Sequence, residues 1–180
     1  MNKHYRSLEL DKILDLLAAS ASCSDTAEAA RALRPSPHLT EVVRLLDETD
    51  AATGLMAKFG APSFGGASNV SNALRRAQAG AMLTLGELLR IAATLRVIRS
   101  LKEWHQHCEG VSTCLDERFS LLAPNKYLED KLRTAIVSEE EVSDHASAAL
   151  ADIRRRMRSA SARVREQLDK LLHSPNAQKV

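Results

Sequence analysis

Six arginines and one lysine are concentrated between Ser147 and His173, against three acidic residues in the same stretch. Guanidinium groups bind phosphate oxygens in pairs of hydrogen bonds, so such a cluster suits the backbone of a nucleic acid. The whole chain has a net charge of only +2, so the cluster is equally typical of solvated charge on an exposed helix. Both interpretations stay open. The candidate phosphate contacts are Arg154, Arg155, Arg158, Arg163 and Arg165.

A second group of reactive side chains combines histidine and cysteine. His105 and Cys108 are spaced to share one face of a helix, as two zinc ligands would, and Cys114 follows. The pattern lacks a fourth ligand, and no Cys-x-x-Cys pair supports it. Histidines and a cysteine at a helix end are the commoner explanation, so we predict no metal site.

No pattern in the sequence predicts a catalytic centre. The carboxylates of 139–141 are consecutive, whereas acid–base catalysis needs carboxylates held across a substrate. Gly60 and Gly65, within the glycine-rich break 59–68, have the spacing of a phosphate-binding loop. Gly66 and the alanine after it stand where lysine and serine or threonine are required, and no strand precedes them. We therefore expect no catalytic residue and no bound cofactor in this chain.

The composition favours helices. Hydrophobic residues make up 44% of the chain and charged residues 27%, while aromatic residues contribute only 3%. Sheets depend on aromatic and β-branched side chains, so a core of leucine, alanine, valine and isoleucine indicates helix. We predict an all-α bundle of about six to eight helices with a long C-terminal helix. The acidic residues 137–146 predict a turn or a short β-excursion before that helix.

Start signals place the earlier helices. Asp25 with Glu28 and Thr84 with Glu87 have the spacing of capping boxes. Pro37 suits the first position of the helix that follows Ser36. The complete helices predicted before the last one cover about 8–21, 25–33, 70–79, 85–107, 113–122 and 125–137.

The last predicted helix, 147–173, contains no glycine or proline. At about 1.5 Å per residue it would reach roughly 40 Å. Its apolar residues alternate in spacings of three and four, which keeps them in one seam. The seam either packs on the other helices or extends to pair with another segment or chain. We expect packing at Leu150, Ile153 and Met157 and a freer helix beyond Ala160. The seam residues are Leu150, Ile153, Met157, Val164 and Leu171.

Four short stretches, in this order, resemble the N-terminal part of the bacterial MutS-two family, the recombination-suppressing paralogue of the mismatch-repair MutS ATPases. Each is weak alone, and their order makes the resemblance specific. They are LELDKIL at 8–14, APSFGG at 61–66, DHAS at 144–147 leading into Leu150, Ile153 and Arg154, and SPNAQK at 174–179.

The resemblance implies a helical core domain over 1–146 and a lever helix over 147–173. The start of a clamp would cover 174–180, where we expect the chain to be truncated. Full-length members are dimeric ATPases that bind branched or distorted DNA and restrain homologous recombination, and a role on ribosomes is attributed to them. ATP, Mg²⁺ and the nuclease centre of the C-terminal Smr domain are expected in later parts of such a protein.

This chain is then expected to be a non-catalytic segment that transmits the ATPase state to the clamp. The alternative is a stand-alone helical module that binds a protein helix through its seam and has no nucleic-acid function. Three cysteines without a framework fit a reducing compartment. No apolar run approaches the length of a membrane span, so we expect a cytoplasmic protein without membrane contact.

Overall fold

The computed structural model describes residues 7–173, so the predicted clamp start at 174–180 lies outside the described residues. Within that range the chain forms eight α-helices and one short 3-10 helix, with an isolated antiparallel bridge between Ile136 and Val142 and no longer strand. The all-α prediction and the long last helix are confirmed. The helices are α1 Leu10–Ala19, α2 Ser24–Ala32, α3 Leu39–Phe59, α4 Ser71–Gln78, α5 Leu85–His107, α6 Asp116–Ser120, α7 Lys126–Ala135, the 3-10 helix Asp144–Ala146 and α8 Ala148–Leu172.

The predicted capping box at Asp25 is wrong. Helix α2 begins one residue earlier, at Ser24, and Cys23 is its N-cap. The Cys23 Sγ lies 3.1 Å from the Thr26 hydroxyl, and the Cys23 backbone is extended, as is usual for an N-cap residue. The Cys23 thiol has a lowered pKa because the Thr26 hydroxyl hydrogen-bonds to it.

The predicted helix start at Pro37 is also wrong, because α3 begins at Leu39 with His38 as N-cap. The Ser36 hydroxyl accepts a hydrogen bond from the His38 N–H at 3.2 Å and donates one to the Glu41 carboxylate. These two bonds make a short turn around the proline, so the helix starts two residues later.

The capping box at the start of α5 is confirmed. The Glu87 N–H donates to the Thr84 hydroxyl at 3.2 Å, and the Thr84 N–H donates to the Glu87 carboxylate at 2.9 Å. Arg76 of α4 also binds that carboxylate. The backbone bond to Thr84 and the Arg76 charge lower the pKa of Glu87. One side chain thus begins α5 and holds α4 beside it.

The buried residues form two groups. Helices α1 and α2 pack on each other through small and aliphatic side chains, and Asp15 binds Arg31 across that contact at 3.0 Å. The larger group surrounds α5, which packs on α7. The buried apolar residues are Leu14, Ala18, Ala30, Leu55, Ala73, Ile91, Ala92, Val97, Leu101, Cys108 and Ile136.

A buried ion pair joins α5 to α7. The Arg99 guanidinium donates to both carboxylate oxygens of Glu129, at 2.9 and 3.0 Å, and the Glu129 side chain is only 1% exposed. Arg99 also donates to Glu103 on its own helix at 3.0 Å. The hydrogen bonds from Arg99 hold the pKa of Glu129 below its usual range despite burial. The described residues contain no other buried charged side chain.

A polar joint fixes α6 at the end of α5. The Asp116 carboxylate accepts hydrogen bonds from the Ser112 hydroxyl at 2.8 Å and the Thr113 N–H at 3.1 Å, and lies 3.1 Å from the His105 Nε2. The His105 ring stacks on Phe119 with 4.2 Å between the ring centroids. The Ser112 and His105 contacts lower the pKa of Asp116 to about 2.

Helix α3 contacts α6 and the end of α5 through its middle and its second half. Arg118 of α6 donates to both carboxylate oxygens of Glu48 at 2.8 Å, and Leu55 is almost fully buried. An apolar cavity of about 450 Å³ remains between α3, α5 and α6, lined in part by Leu55, Trp104 and Phe119. The α3–α6 contact therefore depends on a few long side chains.

Replacing Glu129 with Gln removes the charge that Arg99 pairs with and leaves the shape nearly unchanged. We expect a loss of about 2 kcal/mol in the free energy of unfolding, the typical size for hydrogen bonds to a charged group. Urea unfolding followed by circular dichroism measures it. The matched control is Glu103→Gln, which removes the half-exposed partner of the same Arg99 and should have little effect. Equal losses in the two variants would contradict the assigned importance of Glu129.

Acid should destabilise the fold partly through Asp116. Its pKa is about 2 in the folded protein against an ordinary 3.8, so the unfolded chain binds a proton more readily in that interval. The contribution is complete above pH 3.8 and is lost as the pH falls toward 2. Urea midpoints measured across this interval should fall less steeply for Asp116→Asn than for the wild type. Asp130→Asn, on an exposed part of α7, should keep the wild-type slope.

Candidate nucleic-acid interface on the last helix

Helix α8 leaves the core almost at once. It begins after Ser147, whose hydroxyl accepts a hydrogen bond from the Leu150 N–H at 3.1 Å, and it runs for 25 residues to Leu172. At 1.5 Å per residue this is about 37 Å. None of its residues is buried, and its packing contacts are mainly with the 3-10 helix that precedes it. The helix therefore projects from the molecule.

The seam of α8 is uncovered from its second turn onward. Leu150 is half-buried, whereas the Ile153 and Met157 side chains are 52% and 63% exposed. The expectation that Ile153 and Met157 pack on the core is wrong, because the helix has already left the other helices at that point. Val164 and Leu171 are 58% and 64% exposed, as expected for the freer distal half.

A row of basic residues borders the seam. Arg156, Arg163 and Lys170 recur every seven residues, each directly before a seam residue. Ser159 lies between the two arginines, and together they border a shallow groove over Ile153. Arg156 is not among the five arginines predicted from the sequence, although its spacing of seven residues from Arg163 was a signal for it.

Two of the arginines predicted to contact phosphate already bind other groups of the protein. The Arg154 guanidinium donates to the Val142 carbonyl at 2.7 Å and to the Asp144 Oδ1 at 2.6 Å. Arg158, one turn further, donates to the Asp144 Oδ2 at 3.3 Å. The Arg154 and Arg158 hydrogen bonds lower the pKa of Asp144. A phosphate would have to compete with this carboxylate for both arginines.

The other arginines of α8 differ in their surroundings. Arg155 pairs with Asp152 one turn back on the same helix. Among residues 7–173, Arg156, Arg163 and Arg165 have no hydrogen-bond or ion-pair partner. The structure therefore brings Arg154 and Arg158 together at the base of the helix, and leaves Arg163 and Arg165 available on the distal half.

The histidine and cysteine cluster is held by other contacts. His105 binds Asp116, while the Cys108 thiol donates to the Trp104 carbonyl at 3.4 Å. Cys108 is buried, and burial raises the pKa of its thiol. Over the part of the chain that the structure describes, no group of three or more His, Cys, Asp or Glu side chains could hold a metal ion.

Glu139, the first residue of the acidic run 139–141, lies at the start of α5. The Glu139 carboxylate lies so close to Gly86 that a Cβ there would be 3.1 Å from it. Gly86 is in the first turn of α5, where the helix dipole favours a negative charge. The Glu139 carboxylate is therefore placed to stabilise the N-terminus of α5.

No protein-family model matches the chain. It is similar to proteins named Endonuclease MutS2: 36% identical to that of Acetivibrio thermocellus, 35% to that of Clostridioides difficile and 36% to that of Geobacillus thermodenitrificans, in each case over 98% of this chain. The chain spans about a quarter of the length of these relatives, 23% of each. Within residues 7–173 no helix combines the length and the hydropathy needed to cross a bilayer. The chain belongs to the MutS2 family.

Proposed function

We propose that the chain is the core and lever segment of a MutS2-type protein, with residues 1–146 as the core and 147–173 as the lever helix. The observation that carries this proposal is α8 itself, a 25-residue helix without a buried residue that begins at the core and leaves it. A stiff helix of this length carries a rotation at its base to a point about 37 Å away. Such a segment transmits motion and performs no chemistry.

The exposed seam of the lever would take a helix from another part of the full-length protein. Leu150, Met157, Val164 and Leu171 recur at intervals of seven, the pattern that packs one helix against another. Arg156 and Lys170, which border them and are not among the proposed DNA contacts, favour a partner with acidic residues beside its own seam. A second copy of α8 would place basic rows opposite each other and is the less favourable partner.

The arginines of α8 would contact the phosphates of DNA. Arg163 and Arg165 are the most available of them, because they have no internal partner among the described residues. Arg154, Arg155 and Arg158 would bind phosphate only after their ion pairs with Asp144 or Asp152 break. Phosphate contacts bind without reading the base sequence, which suits recognition of branched or distorted duplexes by their shape.

The remaining activities belong to the full-length protein. By family we propose a dimeric, cytoplasmic ATPase and endonuclease that restrains homologous recombination, with a further role on ribosomes. ATP and Mg²⁺ would be bound outside this chain, because its own glycine-rich stretch does not fit a nucleotide. Gly60 and Gly65 follow helix α3 rather than a strand, and Gly66 stands where a phosphate-binding loop requires lysine.

A specific observation also supports the stand-alone interaction module. Exposed apolar side chains lie on both α1 and α8, including Ile13 at 60% and Leu16 at 72% exposure. Surfaces of this kind bind other proteins. The two functions differ in their response to DNA, since the module would bind an amphipathic helix and would not bind a DNA junction.

The double substitution Arg163→Gln with Arg165→Gln should weaken binding of the chain to a four-way DNA junction. Each phosphate contact contributes about 0.9 to the slope of log affinity against log salt concentration, so the slope should fall by about 1.8. Fluorescence anisotropy with a labelled junction, repeated from low to moderate salt, measures both quantities.

The control is Arg34→Gln with Arg90→Gln, which removes the same charge from exposed positions elsewhere and should leave most of the slope intact. Equal slopes for the wild type and the α8 double variant would exclude phosphate contacts at these two positions. A wild-type chain that does not bind the junction at low salt would favour the interaction module.

A further inference from the structure

The base of α8 is attached to the core by polar groups. No residue of α8 is buried and only residues near its base, such as Leu150, are half-buried, so apolar packing contributes little to the direction of the helix. Ser147 caps its first turn, but a cap of this kind satisfies backbone groups without orienting the helix relative to the core. The orientation must come from side chains that cross from α8 to an earlier segment.

That earlier segment is itself fixed to the core. Helix α7 is bound to α5 by the buried Glu129, and the chain after α7 folds back through the bridge between Ile136 and Val142. The Ser143 N–H then donates to the Ala135 carbonyl at 2.8 Å. The backbone that leads into Asp144 is therefore attached to the part of the molecule that contains α5 and α7.

We propose that Asp144 is a positioning residue, which sets the direction of the lever by binding arginines from two successive turns of α8. Its Oδ1 accepts from Arg154 and its Oδ2 from Arg158, while Arg154 also donates to the Val142 carbonyl. Two points of attachment on the helix, one turn apart, restrict both its rotation and its tilt. This inference rests on the proposed lever function and identifies the contacts that orient the lever helix relative to the core.

The other ion pairs of α8 cannot have this effect. Asp152 pairs with Arg155 and Glu166 with Lys170, in both cases within the helix itself. Such pairs support the helix locally and leave its direction unchanged. Asp144 differs because it lies outside α8, ten residues before one partner and fourteen before the other.

The length of the lever makes a small change at its base large at its end. A rotation of about 10° moves the end of a 37 Å helix by about 6 Å. The contacts themselves are partly exposed, with Asp144 at 36% and Arg158 at 66% exposure, so their loss should affect the stability of the core little. A change in the direction of α8 can thus be distinguished by experiment from a change in the stability of the core.

The experiment measures the distance from the core to α8 with spin labels and pulsed electron paramagnetic resonance. One label is attached to Cys114, which is exposed, and the other to α8 through Ser161→Cys; Cys23→Ser removes the remaining accessible thiol, and Cys108 is buried. In this background we expect a single narrow distance distribution. Asp144→Asn should broaden it about twofold or more, and Arg158→Gln should broaden it to a smaller extent.

Asp152→Asn is the matched control, because it removes an ion pair of the same helix that stays within the helix, and it should leave the width unchanged. Thermal unfolding of each variant checks that the core is intact. Unchanged widths in Asp144→Asn and Arg158→Gln would overturn the proposal. So would unfolding of the core by Asp144→Asn, because the residue would then hold the fold together. If the wild type does not bind the junction but the distance distributions have the expected widths, the DNA function would be rejected and the role of Asp144 supported.

Discussion

The pairing of Arg99 with Glu129 is the interaction on which the rest of the structure depends. A carboxylate that is only 1% exposed is tolerated because a guanidinium group binds both of its oxygens. This pair determines how α7 lies on α5, and α7 in turn carries the bridge and the 3-10 helix from which α8 departs. The orientation of the last helix is therefore connected to the buried centre of the molecule through a short series of polar contacts.

Signals between neighbouring residues predicted one helix start correctly and another wrongly. Thr84 and Glu87 are close in the chain, and their capping box formed as expected. Asp25 did not cap its helix: the helix begins one residue earlier than predicted, and Cys23, which contacts Thr26, is its N-cap. In each case the result depends on bonds within a few residues, and only the competition between them was unpredictable.

The candidate site shows the same limit over longer distances. Spacing placed the apolar residues of α8 in one seam, but it could not say whether other helices cover that seam, and Ile153 and Met157 are exposed. Composition identified the arginines, yet it could not separate Arg154, which is bound to Asp144 across a turn, from Arg163, which has no partner in the described part of the chain. Arg154 lies ten residues after Asp144, and the turn that brings the two side chains together leaves no signal in a periodic pattern.

The absence of buried residues in α8 also determines how the protein responds to heat. The helices around α5 share one core and should unfold together, because each depends on the packing of the others. Helix α8 depends on its own cap, on ion pairs such as that between Glu166 and Lys170, and on the intrinsic preference of its residues for helix. A helix of this kind melts gradually from its ends over a wide range of temperature. The core is thus expected to unfold cooperatively, whereas the helical part of α8 becomes shorter as the temperature rises.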